Sequence, residues 1–235
     1  WEDVLSGQCD LSLAVGVEKV FVPDDPIATF KLFLGGVDQR HPEEWQGFFA
    51  EQGERTGHRF EPHPHRILFL DVHALQARAH MEKYGTTPAQ LAAIAAKNHD
   101  HGALNPLAQY RQRMTVEEVL ADKPVVDPFT RAMCSPLSDG AAAAIVCSEA
   151  WLKAQPSSVR ERAVAIRTSV LVGGAWRDLE DRAVVHHAAK EAYRRAGISG
   201  RDVDVAEVHD STAYCELVAT EALGFCGECE GGPLA

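Results

Sequence analysis

Apolar and polar positions alternate with several different periods along these 235 residues, and each change of period predicts a change of element. Trp1, Val4 and Leu5 have helical spacing and run into Ser6-Gly7, the small-residue exit of a helix. The apolar run from Cys9 to Val20 suits a buried parallel strand. A long stretch to about residue 86 is rich in Pro, Gly and His and weakly periodic. Within it, the stretch from Leu68 to Tyr84 is expected to include a helix with Val72, Leu75, Ala79 and Met81 toward its buried side. Thr87-Pro88-Ala89-Gln90 opens another helix, because Thr87 can cap, Pro88 fits the first helical position and Gln90 completes a capping box. That helix carries Leu91, Ile94, Ala95 and Asn98 on one side and is expected to end near His99. Thr115-Val116-Glu117-Glu118 is a second capping box, starting a short helix that Pro124 must terminate. Residues 139–149 are ambiguous: alanine favours helix, whereas Asp139-Gly140 and Ile145-Val146-Cys147 suit a close-packed strand.

From residue 160 the pattern becomes regular. Ala163 to Ile166 through Val170 to Val172 is strand-like and ends at Gly173-Gly174. Asp178 is a candidate cap for a helix whose apolar positions, Val184, Val185, Ala188, Ala189, Ala192, Tyr193 and Ala196, recur with helical period. Gly197 supplies its left-handed end. Val203 to Val208 reads as a strand, and Ser211 as the cap of a helix bearing Tyr214, Leu217, Val218 and Leu223, stopped by Gly224. Strand, helix, strand, helix in this order predicts an α/β fold with a right-handed crossover and a parallel sheet.

Composition narrows the function. Hydrophobic residues make up 46% of the chain, enough for a core, and the formal net charge is -11. An acidic chain lacks the basic surplus of a nucleic-acid binder. No apolar run approaches the ~18 residues of a membrane span, and no basic-then-apolar leader is present. The six cysteines are scattered rather than framed, which fits reduced thiols in a cytoplasmic protein. The start within a helix and the loop-like run from Glu230 to Ala235 read as the ends of an internal fragment.

The most informative chemistry lies in Glu207-Val208-His209-Asp210-Ser211. The pattern sets a histidine at the carboxyl end of a parallel strand, just before a helix N-terminus, where ligands of open α/β sheets gather. His209 there can donate to an oxyanion or hold a catalytic water; a structural histidine capping the helix is the alternative. Cys226-Gly227-Glu228-Cys229 has the spacing of a redox pair or half a zinc site, but it follows a helix exit and has no second CxxC, so it reads as loop. His58, His63, His65 and the His186-His187 pair lack partners at ligand spacing, and no metal is expected. Arg111, Arg113, Lys123 and Arg131 read as a solvated basic stretch.

Taken together in order and spacing, four segments resemble the sterol-carrier-protein branch of the thiolase superfamily, including its bacterial thiolase-domain, acetyl-CoA acetyltransferase-like members. They are Ser6 to Asp10 through Gly16 to Lys19; Ala95-Ala96-Lys97-Asn98-His99 through Leu104-Asn105-Pro106; Ser138-Asp139-Gly140 to Ala143; and Glu207 to Asp210 continuing to Glu221 through Cys226. The resemblance implies a thiolase-like layered αβαβα architecture, incomplete here. Residues 1–20 and 139–150 would end the N-terminal half, 21–138 would be an inserted loop domain, and 160–235 would begin the C-terminal half. The alanine-rich run then becomes a strand, against its propensity. It implies further that His209 is an oxyanion-hole histidine and that His99 is a substrate-binding histidine near the pantetheine or acyl chain of coenzyme A. The family's nucleophilic cysteine and its Gly-His-Pro histidine would lie outside this stretch, and none of the cysteines present falls at a catalytic position. Ser-Thr-Ala-Tyr after Asp210 departs from the family's Cys-Phe; Tyr214 is a candidate for lining the pocket, with core packing the alternative.

The expected function is thiolase-type acyltransfer, thiolytic cleavage or Claisen condensation of acyl-CoA in lipid or sterol side-chain metabolism. Coenzyme A would be a substrate rather than a resident cofactor, and the full-length form a homodimer. The stretch by itself is expected to be inactive. Alternatives are a retro-aldolase acting on CoA-linked side chains with an OB-fold partner protein, and a non-catalytic thiolase-fold scaffold. A histidine rather than a tyrosine at position 209 favours the thiolase.

Overall fold

The computed structural model describes residues 1–174, 177–179 and 181–235. Its elements run α1 (Glu2–Leu5), β1 (Leu11–Glu18), α2 (Pro26–Leu32), α3 (Pro42–Arg55), α4 (Leu68–Tyr84), α5 (Pro88–Leu104), α6 (Val116–Ala121), β2 (Pro124–Val126) and β3 (Phe129–Thr130). They continue as β4 (Gly140–Cys147), α7 (Glu149–Lys153), α8 (Ser157–Arg160), α9 (Val184–Ala196), α10 (Ala213–Ala222) and α11 (Gly231–Leu234). Two compact units result, residues 1–21 with 137–171, and residues 22–136 with 172–235. No helix among the described residues is long and apolar enough to cross a membrane.

In the first unit β1 and β4 pair along their whole lengths, from Leu11 opposite Cys147 to Glu18 opposite Gly140. The pairing is antiparallel, so the parallel strand expected from Cys9 to Val20 is corrected in direction, and Leu13, Val15 and Val17 are exposed rather than buried. The alanine run of β4 is a strand because its backbone finds a partner ladder, which outweighs a per-residue helix preference of under ~1 kcal/mol. Asp139 closes the open end of this ribbon. Its carboxylate accepts the backbone N–H of Val20 at 2.8 Å and of Phe21 at 2.9 Å, and pairs with Lys19 Nζ at 2.6 Å. The Lys19 ammonium and these amides hold the carboxyl at about 2 against an ordinary 3.8. A depressed carboxyl stabilises the fold above its ordinary range and loses that contribution as pH falls through its folded value. Protection of the Val20 and Phe21 amides, taken as exchange by NMR relative to the intrinsic rate at each pH, is therefore expected to fall as pH drops from 3.8 through about 2, and Asp139→Asn should remove the transition.

The second unit is helical, built on small residues that let helices approach closely. Ala74 and Ala77 of α4, Leu91, Ala92, Ile94 and Ala95 of α5, Val119 of α6 and Ala213 and Leu217 of α10 form one core with Phe129 and Met133. Trp45 of α3 with Leu68 and Val72 of α4 forms a second. Both expected capping boxes are present, Thr87 with Gln90 and Thr115 with Glu118. Helix α5 continues past His99 to Leu104, and α6 ends at Ala121, ahead of Pro124. The left-handed ends at Gly85 (φ 74°) and Gly197 (φ 66°) need no Cβ-bearing residue.

Several local expectations are corrected. Residues 163–172 and 203–208 form no strand, since no described segment offers them a ladder partner. Their apolar residues stay in the open: Val164 is 90%, Leu171 99% and Val205 80% exposed. Asp178 does not cap α9, which begins after Ala183 without a side-chain cap; its carboxylate instead accepts from Gln52 and Arg55 of α3. Ser211 does not cap α10 either, whose N-cap is Thr212.

Candidate active site

The second unit contains a cavity of about 1150 Å³. Helix α4 contributes His73 and His80, α10 contributes Tyr214, Cys215 and Val218, and the segment before α10 contributes Glu207, Val208 and His209. Phe48 and Phe49 of α3 and Val185 of α9 add apolar wall. Wide, mainly apolar hollows with a few polar side chains are the usual form of ligand sites.

His209 lies on this wall, exposed, but not at the end of a strand: residues 205–210 have no ladder pairing. What holds the segment is a side-chain hydrogen bond at Asp210 and backbone pairing just after it. Asn98 of α5 donates to Asp210 Oδ2 at 3.2 Å and to Glu216 Oε2 of α10 at 2.6 Å, and Lys97 pairs with the same Glu216. Just downstream, Ser135 N–H donates to Ser211 O at 3.1 Å, and Cys134 bridges Thr212. The Ala95–His99 and Glu207–Asp210 segments, separate in sequence, therefore meet through Asn98.

Tyr214 serves both roles open to it. It lines the cavity and packs on the main core, with its ring edge-on to His80 at 5.8 Å. Burial pushes its phenol well above the ordinary range, so it stays a neutral hydroxyl. His99 is not among the cavity-lining residues. Half-buried, it stacks on Tyr110 with centroids 6.5 Å apart, and its Nε2 lies 3.3 Å from Ala132 O.

Two arrangements in the wall had no signal in the sequence. His80 Nδ1 lies 3.1 Å from Thr86 Oγ1, and its Nε2 stands 3.8 Å from Glu221 Oε2, in ion-pair range and beyond a hydrogen bond. Burial raises the Glu221 carboxyl, but His80 and the Gly231 amide outweigh it and hold it below its ordinary value. The second joins Cys215 Sγ to His73 Nδ1 at 3.5 Å, with Thr212 Oγ1 at 3.3 Å and Ser211 Oγ at 3.5 Å from the same sulfur. All six cysteines are free, Cys226 and Cys229 included, and no group of three metal-binding side chains occurs among the described residues.

With this geometry in view, the similarities are consistent with one another. Residues 170–235 match the family described as thiolase C-terminal domain-like. The chain is 33% identical over 230 residues to an acetyl-CoA acetyltransferase of Methanothermobacter thermautotrophicus, covering 97% of this chain and 54% of that protein. It is 37% identical over 165 residues to sterol carrier protein 2 of Bos taurus, 67% of this chain and 30% of that one. The solved structure titled Ltp2-ChsH2(DUF35) aldolase superposes with a TM-score of 0.68 at 19% identity, over 99% of this chain and 56% of its own. The chain belongs to the thiolase superfamily, and its fold is thiolase-like. It spans about half the length of the archaeal relatives it matches.

Proposed function

We propose that this chain forms part of a thiolase-type acyltransferase, which cleaves or joins carbon–carbon bonds in acyl-CoA, with lipid or sterol side chains as the substrate class. The supporting observation is the shared wall of the large cavity, where His209 and Tyr214 stand beside apolar side chains able to take an acyl chain. His209 would donate a ring N–H to the thioester-derived oxyanion. A fixed donor works there because it needs no reorganisation as charge develops. The Asn98–Asp210 hydrogen bond would keep the neighbouring backbone in place through that step. Tyr214, as a neutral hydroxyl, would contact substrate without adding charge. His99, set away from the cavity lining, would act through α5 rather than on the acyl chain. Coenzyme A is then a substrate, and we infer a cytoplasmic homodimer as the working form.

The whole protein should consume 3-oxoacyl-CoA in a reaction that requires free coenzyme A and yields two acyl-CoA products, read by chromatography. Release of an aldehyde or ketone without coenzyme A would replace this reading with a retro-aldolase, whose OB-fold partner would then be sought. Absence of both reactions, with acyl-CoA still bound, would favour a scaffold.

A further inference from the structure

We propose that Cys215 and His73 form a nucleophilic thiol–imidazole site in the cavity wall, and that it accepts the acyl group of a thioester. The substrate class rests on the acyl-CoA reading above, whereas the paired nucleophile rests on geometry alone. His73 on α4 and Cys215 in the first turn of α10 are 142 residues apart, and packing of the two helices brings Sγ to 3.5 Å from Nδ1. Both line the cavity, so an entering carbonyl can reach the sulfur. The hydroxyls of Thr212 and Ser211, at 3.3 and 3.5 Å, are positioned to donate to a thiolate. Nucleophile, base and supporting donors within hydrogen-bond reach are what covalent catalysis by cysteine requires.

The electrostatics agree. Burial by itself raises the Cys215 thiol; the hydrogen bond and charge of His73, with the Thr212 and Ser211 hydroxyls, outweigh it and bring the thiol down from 9.0 to about 7. The neighbouring Cys134 shows what burial does without such partners, its thiol being pushed up to about 12. Cys226 and Cys229 are also raised, by burial first and by nearby glutamates second. Cys215 thus has partners that favour its thiolate near neutral pH.

The step balances without an oxidant or reductant. The Cys215 proton passes to His73, and the thiolate electron pair forms a new S–C bond at the thioester carbonyl. The bond from that carbon to the departing sulfur breaks. The departing thiolate takes the proton back from His73, leaving an acyl thioester on Cys215 and a free thiol.

The test incubates the 235-residue chain with acetyl-CoA and locates any acetyl group by intact mass and peptide mapping, beside equilibrium dialysis of acetyl-CoA. Acetylation is expected at Cys215, absent in Cys215→Ser and in Cys215→Ala, and at least about tenfold slower in His73→Asn. The rate should rise through a midpoint near 7 and shift upward in His73→Asn. The groups facing the sulfur in that titration are His73 from α4, Cys134 from the segment after β3 and Tyr214 on α10 itself. Alkylation by iodoacetamide should follow the same profile, and melting curves should show each variant folded. Acetylation at another residue, or equal rates in the parent chain and a folded His73→Asn, would overturn the proposal. Bound acetyl-CoA that never acylates Cys215 would overturn it and leave the acyl-CoA reading standing; no binding by the 235-residue chain would overturn it too, and the acyl-CoA reading would then rest on the cleavage assay of the whole protein alone.

Discussion

Replacing His209 with alanine is expected to lower thiolytic turnover of the whole protein on the order of 10²-fold, the usual consequence of losing one oxyanion donor. The loss should fall on kcat more than on KM, because the donor strengthens its bond only as negative charge accumulates on the carbonyl oxygen. His209 is exposed and outside both apolar cores, so its removal should leave the melting temperature nearly unchanged. That separation makes the experiment decisive. A folded variant with parental turnover would strip His209 of the role and leave only its position on the cavity wall.

The largest effect on stability is expected at Arg66. Asp71 of α4 is buried, its side chain only 2% exposed. Burial pushes its carboxyl upward, and the guanidinium of Arg66 opposes this through a bond from Nε to Oδ1 at 2.7 Å and a second from the other arm. The same guanidinium donates to Val125 O of β2 at 3.1 Å, tying the strand to the helix. Arg66→Ala would strand the carboxylate in the interior and is expected to cost ~3–5 kcal/mol, a large share of a typical domain's stability. Asp71→Asn should cost less, because Arg66 is more exposed than its partner and can turn toward water. Denaturant unfolding of both variants tests the asymmetry: equal losses would mean that the pair is not held by burial of the acid.

What could be read from the sequence followed the range of the forces involved. Thr87 and Thr115 announce their helices because a capping box is satisfied within a single turn. The helix within Leu68 to Tyr84 was legible from its apolar side instead, since it has no capping box, and it fills that stretch up to the left-handed Gly85. Strands depend on partners. The alanine run of β4 lies opposite β1 across more than a hundred residues of chain; its flanks suited a strand and its alanines a helix, and only the family resemblance decided between them. Conversely, Val164, Leu171 and Val205 carry a strand's apolar signature yet find no ladder among the described residues.

The site divides in the same way. His209 was marked by its place before a helix start and again by the resemblance, Tyr214 by its place in the helix that follows, where the chain departs from the family's pattern; both line the cavity. His99 carried the same kind of mark, but the helix around it turns the ring to Tyr110 and Ala132 instead. His73 and Cys215 had no local sign at all. A histidine in the middle of an amphipathic helix and a cysteine among scattered cysteines acquire chemistry only where α4 and α10 pack together.

Histidine-selective NMR of the 235-residue chain titrated with acetyl-CoA probes the cavity most directly. The account predicts saturable shifts of the His209 and His73 ring signals, with His41, which is absent from the cavity wall, unmoved. Saturable binding that perturbs neither of those rings would contradict the claim that this hollow receives the thioester.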